Sequence, residues 1–540
     1  MQLTGWRRTV AFVAIIMGFF MALLDATIVN VALPDMTRSF HSGMDHMSWV
    51  VNGYNLAFAV CLITASRLAD QFGRKRLFMI GVTGFVIASA LVGLSDSLPM
   101  LVTFRVIQGM AAAIVVPVTI PLAVDLFPPQ MRGMIMGIWG GISGLAAASG
   151  PTLGGILTDA MGWQAVFYVN LPIGLICLLL SVRLLRESVD PSAGRGIDWL
   201  GMGLLTGAMF SLTYALIQAN EWGWSSPKLL VLLGAAAVLL VIFLMVESRL
   251  RNPMLPLRLF RIGTFNWACL TLLLIGAGVM APSFLMSYFL TGLLGKSVLQ
   301  AGLIISAMPL ASMVVSASVG ALANRFGSRL FVGTGMAVLA ASTWLLGDLT
   351  AASPLSAIVW RLALFGVGMG LAMAPVMGSV IRNVPEEKIG IASGVTNMTR
   401  ALGSVMGVAL LVMVLNQAVA DNTVKAGADI AAWVSADERL PAGAKAELAV
   451  QMKEVGGSGE AGGAALRSWV EHYPAGAELA ARIGGRMQEA SAASFARAFH
   501  LGGAVLLAGI VAGLLSDSRK SRIAAEGSAS VTAAAGSAEG

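Results

Sequence analysis

The sequence predicts an all-α integral membrane fold with fourteen transmembrane helices, and three observations carry that expectation. Of the 540 residues, 57% are hydrophobic and only 12% are charged, against about 25% charged residues in a soluble protein. Apolar runs long enough to cross a bilayer as a helix recur fourteen times along the chain. The short segments between them alternate between basic flanks and flanks nearly devoid of Lys and Arg.

The first run, 9–33, carries Ile15, Ile16, Phe19 and Phe20, and its 25 residues reach about 37 Å as a helix. Arg7 and Arg8 in front of it mimic a signal peptide, but the run is too long and contains Asp25, so it reads as an uncleaved first helix. Spans 48–66, 77–95 and 98–123 follow, the last with Arg105 in its outer part. Span 133–157 is rich in glycine, and 164–185 closes a first group of six. Two further apolar runs, 199–219 and 228–247, precede a second group at 265–290, 299–323, 329–348, 356–382, 392–416 and 497–516.

An even number of spans puts both termini on one side. That side holds nearly all the basic flanking residues, among them Arg7, Arg8, Arg74, Lys75, Arg76, Arg249, Arg251, Arg519, Lys520 and Arg522; the opposite short loops hold only Arg38, Lys228 and Lys296. By the positive-inside rule both termini are expected in the cytoplasm. The net charge of +7 is spread between spans rather than gathered in a patch, which argues against nucleic-acid binding. Cys61, Cys177 and Cys269 all fall inside apolar runs, so neither a disulfide framework nor a metal site is expected.

One loop is long. Residues 417–496 are rich in Ala, Gly and Glu, with helical stretches expected at Ala444–Glu454 and Ala477–Ala498, the second weakened by Gly484 and Gly485. A packed cap, a partner-docking segment and a mobile insert all fit this composition. The Ala/Gly/Ser-rich tail after Arg522 is expected to be disordered.

The two groups of six echo each other. Ser66–Lys75 matches Gly320–Arg329 at an offset of 254, Arg105 matches Arg361 at 256, and Pro128 with Gly133 matches Pro385 with Gly390 at 257. Parallel repeats about an axis along the membrane normal are a transporter design, with the substrate site between the halves near the midplane. The expected organisation is a first half at 1–190, two inserted helices at 191–250, a second half at 251–522 containing the outer loop, and a tail at 523–540.

Six motifs in order then give a specific resemblance: Leu24–Pro34 in the first span, Ser66–Lys75 after the second, Arg105-Val106-Ile107-Gln108-Gly109 in the fourth, Gly150-Pro151-Thr152-Leu153-Gly154-Gly155 in the fifth, Trp163–Gly174 entering the sixth, and Asp198-Trp199-Leu200-Gly201 opening the seventh. With these the chain resembles the major facilitator superfamily, in its fourteen-helix drug:proton antiporter branch, often called EmrB/QacA-type. The resemblance implies a major facilitator fold of two six-helix halves plus two inserted helices. It covers nearly all of the chain outside 417–496 and the tail. Ser66 and Ala146 stand where the motifs usually have Gly, and Asn324 replaces an acid in the second-half loop copy, so that gate contact is expected mainly in the first half.

Asp25 is the one carboxylate deep in a span. A charge there costs about 2.5–3.5 kcal/mol on insertion scales, so it is expected to face the protein interior or an aqueous cavity. It lies about 12 Å from the outer end of its helix and Arg105 about 10 Å from the outer end of its own, at similar depth. Pairing relieves both charges. Asp25 is read as the proton carrier, switched by movement of Arg105 or by arriving substrate; a static structural pair is the alternative. The resemblance ties both positions to proton coupling.

Asp70, Gly73, Arg74 and Lys75 read as a cytoplasmic gate, the acid meeting a helix N-terminus or an Arg across the interface; topology alone also accounts for the basic residues. Gly150, Pro151, Gly154 and Gly155 permit a kink and close helix packing, and the resemblance adds that this interface limits leak in antiport. Asn30, Asn55, Gln108 and Arg361 are candidates for the substrate cavity. Asn170 and Asn397 are further polar residues within spans, and Arg400 is a second in-span cation without an acidic partner or a repeat echo. Thirty Met residues suit adaptable apolar walls.

No phosphate-binding Gly-x-x-x-x-Gly-Lys loop occurs and the four histidines form no ligand cluster, so neither an enzyme nor a cofactor is expected, and the proton gradient is the energy source. The expected function is proton-driven export of small amphipathic compounds, cationic drugs among them or an endogenous metabolite, across the cytoplasmic membrane. Proton-coupled transport of one metabolite, uptake, and a scaffold or sensor acting through the outer loop are the alternatives. The expected partners are the substrate, protons and membrane lipid; relatives also admit a periplasmic adaptor and an outer-membrane channel in a Gram-negative host.

Overall fold

The computed structural model describes residues 5–42, 47, 49–128, 131–189, 198–250, 253, 255–385, 388–436, 441, 443, 445 and 477–517. Among them there are helices and no strands. In order these are α1 (Trp6–Ser39), α2 (Trp49–Phe72), α3 (Arg74–Gly93), α4 (Leu98–Leu126), α5 (Arg132–Met161), a single turn at Ala165–Tyr168 leading into α6 (Asn170–Leu184), α7 (Trp199–Trp222), α8 (Pro227–Arg249), α9 (Gly263–Tyr288), a short helix Val298–Ile305 leading into α10 (Ala307–Phe326), α11 (Ser328–Gly347), α12 (Leu355–Asn383), α13 (Ile389–Ala436) and α14 (Ala477–Leu515). Twelve segments of the described residues are long and apolar enough to cross a membrane. The helices α5 and α9 lie outside those twelve, although Gly263–Val279 of α9 is a shorter apolar stretch.

In lipid every backbone polar group must be satisfied within the chain, which is why apolar runs become helices. What distinguishes the helices is which faces they bury. In α8 the apolar surface is nearly all exposed, only 17% of its most apolar window being buried, so it presents itself to lipid. Its partner α7 leans on α2 through Trp49 and Tyr214 and on α13 through Asn220 Nδ2, which donates to the Ala409 carbonyl at 3.2 Å. Helices α2 and α4 approach so closely that Gly109 lies against the Tyr54 backbone, where a Cβ would come to 3.0 Å from Tyr54 Cα. Gly109→Leu should therefore push the two apart and cost about 1–3 kcal/mol or more, seen as a lower unfolding midpoint in detergent.

The repeat legible in the sequence has a structural counterpart. Helices α3 and α11 both start after a glycine in the left-handed region, Gly73 at φ 115° and Gly327 at φ 89°. Both receive at the N-terminus a carboxylate from just past the last helix of their half. Glu187 accepts from the Lys75 and Arg76 N–H groups at 3.0 and 3.2 Å, and Asp517 accepts from Ser328 N–H at 3.2 Å. Anions at this position satisfy orphan N–H groups and the helix dipole. Glu187→Ala should lower stability by about 1 kcal/mol, measured as a small drop in melting temperature.

The largest departure from expectation is at the long loop. Spans were expected to end at 416 and to resume at 497. Instead α13 continues unbroken to Ala436, and α14 begins at Ala477, so two helices project past the apolar region as a hairpin. With 48 residues, α13 is about 72 Å long, more than twice the thickness of the hydrocarbon core. The projecting part has its own small core of Ala426, Ile430, Leu479 and Ile483, and is laced by Arg486–Asp429 at 2.9 Å, Arg497–Asp421 at 3.0 Å and Arg482 over the Trp433 ring. Gly484 and Gly485 do not interrupt α14. A glycine costs about 1 kcal/mol against Ala in a helix, and the buried Ile483 and the paired Arg486 beside them offset it. The helix expected at Ala444–Glu454 falls almost wholly outside the described residues, as does the tail at 523–540.

Candidate functional site

Five helices converge on Asp25. Its carboxylate is fully buried, and three side chains donate to it: Arg105 Nη1 to Oδ2 at 2.5 Å, Gln108 Nε2 to Oδ1 at 2.9 Å and Asn170 Nδ2 to Oδ1 at 2.9 Å. Arg105 is pinned from other directions, donating from Nε to the Val50 carbonyl at 2.9 Å and from Nη1 to Gln108 Oε1 at 2.7 Å. Its guanidinium lies over the Tyr54 ring, 4.3 Å from the centroid, and Tyr54 is itself anchored by its OH donating to the Ala22 carbonyl. Ser89 of α3 accepts from Gln108 at 2.7 Å and from Asn170 at 3.3 Å.

An ionised carboxylate can accept from all three of these donors at once. Removing one partner of such a buried pair costs about 3–5 kcal/mol, because the other charge is left uncompensated. One buried acceptor in the cluster, Asn170 Oδ1, has no hydrogen-bond partner.

At the opposite depth, Asp70 on α2 pairs with Arg74 at 2.9 Å, and Arg74 reaches Asp125 at the end of α4 at 3.4 Å. The Asp70 carboxylate also lies against Gly390, at the N-terminus of α13 in the other half. Ser66 Oγ donates to the Gly390 carbonyl at 2.7 Å, and Ser393 Oγ donates to the Pro117 carbonyl of α4 at 3.1 Å. The halves are thus bolted together on this side. Every residue from 115 to 124 in α4 and from 374 to 381 in α12 is buried, leaving only a small crevice by Ile120, Val380, Ile389 and Thr396. Lys75 turns away, its Nζ donating to the Val182 carbonyl. In the second half the corresponding corner is built from Arg382, which contacts Ser328 Oγ and pairs with Asp517 at 3.3 Å.

Towards the other end α4 loses this cover, although α5 stays in contact with the second half through Pro151 and Gly155. The face of α4 that carries Pro117 also carries Met110 and Thr103, seven and fourteen residues earlier and so nearly in line. Pro117 is buried against α13, whereas Met110 is 45% exposed and Thr103 is exposed. Away from the Asp70 side, then, this face of α4 is uncovered.

Glycine-rich α5 stands at the boundary between halves. Gly150 backs onto Thr27 of α1, while Pro151 packs on Gly302 and Gly144 on the Pro309 carbonyl, both across the boundary. Gly154 and Gly155 are buried, the latter toward Leu299. The Asp198 motif resolves into a helix cap, Asp198 Oδ1 accepting from Gly201 N–H at 2.8 Å.

The other residues singled out by sequence scatter. Gln108 was expected on the cavity wall and instead belongs to the buried Asp25 cluster, because its helical phase turns it toward α3. Asn30 is exposed and bonded only to the Thr27 carbonyl, and Asn55 is half-buried. Arg361 lies over Trp360 with its Nε unbonded. Sequence reasoning passed over Tyr54, Ser89 and Glu187; the first two show no charge or motif that marks them, while Glu187 is a charged residue just past the end of α6.

Residues 15–408 match the family model of the Major Facilitator Superfamily. The chain is a member of that superfamily. Relatives agree with it. The tetracenomycin C resistance and export protein of Streptomyces glaucescens is 35% identical over 76% of this chain and 76% of its own length. The multidrug resistance protein Stp of Mycobacterium tuberculosis is 37% identical over 78% of this chain and 75% of its own. The drug efflux pump JefA of the same organism is 32% identical over 80% and 82%. A crystal structure of the human organic anion transporter MFSD10 overlays with a TM-score of 0.59, covering 92% of this chain and 99% of that one at 13% identity, which is a likeness of fold. This major facilitator is a multi-pass membrane transport protein and not an enzyme.

Proposed function

We propose that the chain is a proton-driven antiporter that exports small amphipathic compounds across the cytoplasmic membrane by alternating access, and that it belongs to the fourteen-span branch of the superfamily. In this reading α1 to α6 with residues 1–190 form one half, α7 and α8 within 191–250 are inserted helices, and 251–522 form the second half. The Asp70 side is cytoplasmic, so this conformer is closed inward and its cleft faces out.

The observation that carries the reading is the Asp25 cluster. A single deep carboxylate, sealed from water and held by three donors, is a group whose charge the whole site is built around. Proton uptake at Asp25 turns an acceptor into a donor and weakens its hold on Arg105. The new O–H needs an acceptor, and turning the Asn170 amide presents Oδ1, the oxygen with no partner in the ionised state. Freed from Asp25, Arg105 keeps Gln108, the Val50 carbonyl and the Tyr54 and Phe167 rings, and the packing of α1 on α4 relaxes. Export follows when proton release with substrate capture on the cytoplasmic side alternates with proton uptake and substrate release on the other.

The test is proton movement in proteoliposomes of the purified chain under an imposed inside-acid gradient, with a compound panel. Compound-dependent collapse of the gradient supports antiport. Compound flux with no proton movement removes it.

A further inference from the structure

Helix α13 presents a polar stripe to the middle of the molecule. Ser393, Asn397, Arg400 and Ser404 follow one another at four, three and four residues and so share a face. The direction of that face is fixed at its lower end, where Ser393 bonds to the Pro117 carbonyl of α4. Its flanks are fixed too: Gly390 and Gly394 pack on Asp70 and Ser66 of α2, and Gly403 and Gly407 on Leu273 and Ala277 of α9. Arg400 lies two turns beyond the Ser393 contact, with its backbone carbonyl against Gly276 of α9. At that level α4 has begun to show Met110 to open space.

Arg400 forms no ion pair among the described residues, and its Nε is a buried donor with no hydrogen-bond partner. A guanidinium at membrane depth is expensive unless something compensates it. The other deep charges do not: Asp25 is committed to Arg105 on the far side of α4, and Arg361 is a second cation. No described Asp or Glu stands at this depth other than Asp25. A lipophilic cation entering the cleft would meet a like charge and no acid. An organic oxyanion would supply the counter-charge the protein withholds, with its apolar frame against side chains such as Met110.

We propose that Arg400 receives the acidic group of the transported compound, so that the substrates are amphipathic oxyanions: a carboxylate or ionised phenol on an apolar frame. This deepens the export reading above and rests on it.

The experiment is equilibrium dialysis of the full chain in uncharged detergent with three matched probes: 1-pyrenebutyrate, its neutral amide, and the corresponding pyrenebutyl trimethylammonium. Protein-free micelles give the background. Wild-type protein should bind the acid roughly ten- to a hundredfold more tightly than the amide. Arg400→Gln should erase that preference, and Arg400→Lys should keep part of it, an outcome that loss of packing alone would not produce. Equal binding of acid and amide by the wild type, absence of binding included, overturns the proposal, as does preference for the trimethylammonium or a preference retained in Arg400→Gln. The wild-type comparison stands even if a variant fails to fold. Acid-selective binding without proton movement would remove antiport and keep the site. Proton exchange driven by the trimethylammonium alone would do the reverse.

Discussion

Asp25→Asn should bring compound-driven proton movement in proteoliposomes down to the level of protein-free vesicles, while the protein still purifies as a folded monodisperse species. Asn copies the shape of Asp and keeps one oxygen to accept from Arg105, Gln108 or Asn170, but it cannot take up a proton. Its cost in stability arises because Arg105, 1% exposed, loses its counter-charge; buried pairs broken from one side cost about 3–5 kcal/mol, and the Val50 carbonyl and the Tyr54 face keep the loss near the lower end. Arg105→Leu is the harsher change. It strands a carboxylate in the membrane interior with only two amide donors, and the expected result is poor yield and a large drop in melting temperature. Proton-coupled exchange that survives in folded Asp25→Asn protein would end the carrier assignment.

The second large effect is expected at Asp70. Asp70→Asn removes the charge held against the α13 N-terminus and leaves buried Arg74 with Asp125 alone. A carboxylate at a helix N-terminus contributes about 0.3–2 kcal/mol, and each 1.4 kcal/mol taken from the closed state raises the share of the open one about tenfold. Ser393, buried against Pro117, reports this directly. With Cys61, Cys177 and Cys269 replaced, a Ser393→Cys protein should react with an impermeant maleimide from the Asp70 side about ten times faster when Asp70 is Asn. Unchanged labelling would mean that the contact is not a lock.

Much of the site was legible because charge is costly in lipid. Asp25 and Arg105 stood out as lone charges in apolar runs, and helical rise alone put them at one depth; the structure places them 2.5 Å apart. The Ser66–Lys75 loop was legible as a repeat. Tyr54, Ser89 and the role of Asn170 were not, since each acquires its role only where three or more helices cross, and a hydropathy profile carries no information on which faces meet. Gln108 was misplaced for the same reason: its position on α4 was known, but not which side of α4 looks into the cleft. The end of α13 was missed because hydropathy marks where lipid stops, not where a helix does, whereas α14 starts at Ala477, where the stretch Ala477–Ala498 was expected. Past 416 the helix is held by its neighbour, through Asp429, Trp433 and Asp421, and that pairing cannot be read from either strand of the hairpin alone.

The unbroken course of α13 has a mechanical consequence. One rod touches Asp70 at its first turn, carries Arg400 about a quarter of the way along and ends in the projecting hairpin at Ala436. A tilt of about 10° pivoting at the Asp70 end sweeps the tip through about 12 Å, given a rise of 1.5 Å per residue. Small displacements at the Asp70 contact are thereby enlarged at the tip of the hairpin. An antibody fragment gripping the hairpin would act on the long arm of this lever and could stall the transporter without ever reaching the cleft.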